Sequence, residues 1–174
     1  MAETPKKIEP KPKATERRAM LRKKLWPDVA EDALWLRTQR TGFTTIPRTM
    51  SLIGRIIDLL SDKGFPLFGT YLPLWCWVYD EGMVEIGNPR DFAFESGFSG
   101  PRAEATWKNR MERLKRLGFI DSRRGVSGEF HYVLIYNPLV VIERYFKDDR
   151  DNVAYRALLS RLHQVGADDI DFLV

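Results

Sequence analysis

The chain has one cysteine, Cys76, in 174 residues, which excludes an intrachain disulfide and fits a reducing compartment. It has two histidines, His131 and His163, neither with a partner at metal-ligand spacing, so both read as ordinary surface or boundary residues. No apolar run approaches the roughly 20 residues of a membrane span, and the N-terminus lacks the charged-then-apolar order of a secretory signal. These absences lead us to expect a cytoplasmic protein without a membrane partner. No Gly-rich phosphate loop occurs, because 96–100 (Ser-Gly-Phe-Ser-Gly) lacks the lysine and the spacing. Cys76 falls in an apolar stretch, where an inert buried thiol is expected. No catalytic constellation, cofactor site or small-molecule ligand site is evident, so we expect no enzyme.

What is present is enough for one main domain with appendages. The hydrophobic share of 44% can build a core, and the charged share of 30% keeps its surface wet. Charge is segregated along the chain. The net charge is +6 over 1–24 and +5 over 99–124, against −4 over 25–98 and −3 over 125–174. Two locally basic segments in a chain of net +4 are what a phosphate-facing surface requires.

Four regions follow. Residues 1–24 read as a basic, largely disordered arm, with three prolines in 1–12 and a helix-compatible basic stretch from Ala14. Residues 25–67 read as a helical segment packing on the core, tethered by Trp26, Val29, Leu34 and Trp35. Its firm helix spans 46–61, with Thr45 as cap, Pro47 in the first turn, and Ile53, Ile56, Ile57 and Leu60 buried. Residues 68–136 hold a helix over 68–79, a short strand at 83–86, two helices, and a hairpin of strands 119–123 and 130–136. Pro73 places the start of the first helix at or after Thr70. That helix is apolar nearly all round and needs enclosure, by the preceding helix or by a second subunit. Residues 137–174 hold helices after Asn137-Pro138 and over 152–165, then an acidic-apolar tail.

The segment 92–120 carries the functional signal. Ser99 or Gly100 caps a long basic helix with Pro101 in its first turn. At 100° per residue, Ala103, Trp107, Met111, Leu114 and Leu117 fall within about 80° of Trp107, and that face packs inward. The opposite face carries Arg102, Ala105, Asn109, Glu112, Arg113 and Arg116. Arginine pairs bidentately with guanine and asparagine with adenine, so Arg102 and Asn109 are candidate base readers. Ala105 permits close approach and contact with a thymine methyl. Ser99 and Thr106 suit phosphate oxygens, as do Arg113 and Arg116 further along the helix. Glu112 is tolerable on this face if it pairs with Arg116 at i+4. Arg123 and Arg124 precede a glycine-bounded hairpin tip, from which cations can reach phosphate or a minor groove.

Phe92-Ala93, Gly97-Phe98-Ser99 and Leu117-Gly118-Phe119-Ile120 resemble the winged helix-turn-helix pattern of bacterial regulators and plasmid replication initiators. The resemblance covers 68–136. The Ser99-to-Gly118 distance is about one helical turn longer than in common bacterial examples. It implies a mostly α fold with a small β-hairpin, a winged helix-turn-helix with flanking helices. The implied function is sequence-specific binding of double-stranded DNA as a dimeric transcription regulator. The same domain serves replication or partition control of a plasmid or mobile element, and also protein–protein adaptors.

Overall fold

A carboxylate of one core helix holds the start of the next, as Asp58 accepts from the backbone N–H groups of Leu67 and Phe68. The computed structural model describes residues 14–167, and its contacts divide the chain into two compact units, one ending at Phe43 and the other starting at Thr44. The expected disorder of 1–12 and the acidic-apolar tail lie outside the described residues. In the first unit, helix α1 (Ala14–Leu25) buries no residue, and five of its 12 residues are basic. Two single 3-10 turns follow, Glu31–Ala33 and Arg37–Gln39. Glu31 pairs with Arg22 at 2.9 Å and with Lys23 at 3.4 Å, and Arg22 first among them holds its carboxyl below the usual range. Trp35 meets Phe43 edge-on, with ring centres 6.1 Å apart.

The second unit is helical with a small antiparallel sheet. Helix α2 (Met50–Leu60) buries Ile53, Ile56 and Ile57. It starts later than expected, after Thr49 and not after Thr45. The Pro47 carbonyl accepts from Met50 N–H at 2.9 Å, so Pro47 closes a turn ahead of the helix. Helix α3 (Phe68–Trp77) starts earlier than Pro73 suggested. Asp58 of α2 accepts from the N–H groups of Leu67 and Phe68 at 2.6 and 2.8 Å, and so satisfies donors that the first turn leaves open. Pro73 is carried inside the helix, where it costs one backbone hydrogen bond. α3 is not enclosed on all sides: Tyr71 and Leu74 are buried, while Cys76 and Trp77 are exposed. The expected buried thiol is therefore corrected.

Strand β1 (Met83–Glu85) leads to α4 (Pro89–Glu95), capped by Asn88, whose side chain accepts from Arg90 N–H at 3.1 Å. Gly97 ends α4 with φ 84°, which lets Phe98 N–H reach back to the Ala93 carbonyl at 2.9 Å. Helix α5 (Ala103–Arg116) follows, and strands β2 (Ile120–Gly125) and β3 (Gly128–Ile135) complete a sheet of order β1-β3-β2. Both hairpin strands reach further into the tip than expected, leaving Val126 and Ser127 as the turn. Pairing shifts between Arg123 and Gly125, so Arg124 lies at an irregularity that turns it out of the ladder.

Asn137 caps α6 (Pro138–Phe146) as expected, and Asn152, expected as the first residue of the last helix, caps α7 (Val153–Val165) instead. Phe146 and Tyr155 stack across these two helices at 5.4 Å. The core joins Ile53, Ile56 and Ile57 of α2 to Tyr71 and Leu74 of α3, Trp107, Met111 and Leu114 of α5, Val133 of β3 and Ile142 of α6. No helix among the described residues is long and apolar enough to cross a membrane.

Candidate nucleic-acid interface

α5 buries one face and opens the other because its apolar residues recur at helical spacing. Trp107, Met111 and Leu114 are buried, while Arg102, Ala105, Asn109 and Arg116 are exposed. The helix starts three residues later than a Ser99 cap implied and two later than a Gly100 cap implied. Gly100 has φ 81° and accepts from Ala103 N–H at 3.2 Å, so Pro101 and Arg102 form a turn before the first helical residue. Arg102 is thus the flanking residue at the helix start, and no side chain caps it. The Thr106 hydroxyl donates back to the Arg102 carbonyl at 3.0 Å, and Ser99 is exposed in the loop.

The cations divide into held and open ones. Lys108 pairs with Glu104 at 2.7 Å, and this contact holds the Glu104 carboxyl below its usual range. Arg123 pairs with Asp121 at 2.6 Å. The Ser122 backbone N–H, more than Arg123 itself, holds the Asp121 carboxyl low. Arg102, Arg116 and Arg124 are exposed and have no ion-pair partner among the described residues. Glu112 and Arg116 do not pair, so among the described residues Glu112 remains an uncompensated acid on this helix.

Arg113 is drawn away from solvent. Its Nη1 is paired with Asp62 in the segment between α2 and α3, and its guanidinium lies 4.5 Å from the Phe65 ring centre. Its side chain keeps only 18% exposure, and its Nε donates to Asn109 Oδ1 at 3.3 Å. Arg110 lies over the same ring at 4.6 Å, and burial lowers its pKa from the ordinary value. Sequence reasoning missed Asp62, Phe65 and Arg110. Asp62 and Arg113 are 51 residues apart, beyond the reach of any local pattern.

His131 is buried, not a surface or boundary residue, and fastens the hairpin tip. The Ser127 hydroxyl donates to the Ile86 carbonyl. Ser127 Oγ therefore accepts the 2.8 Å bond from His131 Nδ1, while Nε2 faces Glu85 at 3.4 Å. The imidazole fits because Gly125 has no side chain; a Cβ there falls 2.2 Å from His131 Cδ2. Gly125→Ala is expected to lower stability by about 1–3 kcal/mol through overpacking. Thermal melts read by circular dichroism check this, and the loss should shrink when His131→Ala is added. Equal losses in both backgrounds would remove His131 as the cause.

No group of three or more metal-ligating side chains occurs among the described residues. Set against known proteins, the chain matches no family model, no curated protein and no solved structure.

Proposed function

We propose that this protein is a sequence-specific double-stranded DNA-binding protein of the winged helix-turn-helix type, acting as a homodimeric transcription regulator. The observation that carries the reading is the two-faced α5. It is anchored by Trp107 and Met111 inside and presents Arg102, Ala105, Asn109 and Arg116 outside. α5 packs against β2, whose end carries exposed Arg123 and Arg124. The order α3, β1, α4, α5, β2, β3 supports it, being the order that the sequence resemblance implies. In this reading Arg102 and Asn109 meet base edges, and Ala105 lets the helix approach. Ser99, Thr106, Arg116 and Arg124 meet phosphate, as does Arg123 on releasing Asp121.

Selection of bound sequences from random duplex DNA tests the proposal directly. Arg102→Ala or Asn109→Ala should cost about 1–3 kcal/mol at the selected site and relax preference at one or two base pairs. Arg124→Ala should weaken all sequences nearly equally, because phosphate carries no sequence information. A half-site repeated with two-fold symmetry is the outcome expected of a homodimer. Sites repeated within an origin would instead assign replication or partition control.

A second reading, a protein–protein adaptor, draws support from large exposed side chains on α3, α4 and the segment after α3. Phe94 is 75% exposed and Tyr79 is 82% exposed. Retained affinity and unchanged preference in the Arg102 and Asn109 variants would move this reading ahead.

A further inference from the structure

We infer that Asp62 is a built-in competitor of DNA phosphate, which holds Arg113 in the free protein and lowers affinity for any duplex. The inference rests on the DNA-binding reading and adds a regulating residue that the face of α5 does not itself contain.

The segment 61–66 between α2 and α3 is folded on itself, with Ser61 Oγ donating to the Phe65 carbonyl at 2.5 Å. This fold sets the Asp62 carboxylate and the Phe65 ring against one flank of α5. Asp62 takes the end of the Arg113 guanidinium, and Phe65 takes its face. Asp62 is itself 71% exposed, so water and salt reach the pair. An exposed ion pair of this kind is weak enough to exchange. Beside it lies a concavity of about 250 Å³, lined by Asp62, Arg113 and Arg116 together with Leu60, Ser61 and Leu117. Two guanidinium side chains and one carboxylate thus share a small hollow on the basic helix.

A carboxylate and a phosphodiester offer arginine the same ligand, two oxygens of one anion. A backbone phosphate arriving at Arg116 meets Arg113 already neutralised. It must displace Asp62 or forgo the second cation. Displacement leaves a carboxylate near the phosphates, an added repulsion that every sequence meets alike. Phe65 keeps the guanidinium in place throughout, because its contact is with the face and not the edge.

The test compares wild type, Asp62→Asn, Arg113→Gln and the double variant, each binding a labelled duplex across a salt series. Folding of each is checked by thermal melting. Asp62→Asn should tighten binding about 2–5-fold at moderate salt. It should also steepen the salt slope by up to about 0.9, the share of one phosphate. In the Arg113→Gln background the same change should give little gain. Unchanged or weaker binding by folded Asp62→Asn would overturn the inference while leaving the DNA-binding reading intact. An equal gain in both backgrounds would overturn it too, by reducing Asp62 to a general charge effect. Absence of duplex binding in all four proteins would remove the DNA-binding reading, and this inference with it.

Discussion

Trp107→Ala is expected to reduce the unfolding free energy by about 3–5 kcal/mol, the range for truncating a buried aromatic. Trp107 is fully buried at the middle of the inward face of α5, with its ring 6.4 Å from Phe92 and 5.8 Å from Phe130. The substitution therefore empties a space shared by α4, α5 and β3. Those elements cannot all close around it, because each is held by contacts elsewhere. α5 is pinned at its far end, where the Tyr145 hydroxyl of α6 donates to the Leu117 carbonyl at 3.0 Å. Against a typical total of about 5–15 kcal/mol, a loss of this size leaves a large unfolded fraction. Urea unfolding followed by circular dichroism measures it. Trp107→Phe should cost less, since the indole N–H has no hydrogen-bond partner among the described residues to lose. A loss below about 1 kcal/mol for the alanine variant would mean that α5 is not anchored by this residue.

Duplex affinity is expected to fall by roughly 10²–10⁴-fold for each subunit engaged between 50 and 200 mM salt, for about four to eight phosphate contacts per subunit if both basic segments engage. Each cation that meets a phosphate releases condensed counterions, so the logarithm of affinity falls linearly with that of salt. The arrangement of the cations argues for the lower part of that range. Arg113, Lys108 and Arg123 already have carboxylate partners. Arg102, Arg116 and Arg124 stand open on the proposed surface. Cations of α1, such as Arg18 and Lys24, supply further contacts if that helix engages. Titration of a labelled duplex at several salt concentrations reads the slope. An affinity indifferent to salt would remove the DNA-binding proposal and leave the fold untouched.

The chain's local chemistry determined which segments become helix and strand. Helical spacing of Ile53, Ile56 and Ile57, and of Trp107, Met111 and Leu114, marks the buried stripes of α2 and α5. Asn137-Pro138, Asn152 and Gly166 mark the ends of α6 and α7, because a cap acts within one turn of its own residue. The segregation of positive charge into 1–24 and 99–124 was likewise visible in the order of residues. Only the tertiary structure decided what lies across the fold. α3 starts at Phe68 because Asp58, ten residues back, accepts from its N–H. Gly125 matters because the ring of His131 from the facing strand fills the space beside it. Arg113, on the outward face by helical arithmetic, is drawn inward by Asp62 and Phe65 of a distant segment. Periodicity and capping act over about four residues and can be read from neighbours. A long arginine side chain follows whichever carboxylate and ring the packing of other helices brings within its reach, and no window of sequence contains that choice.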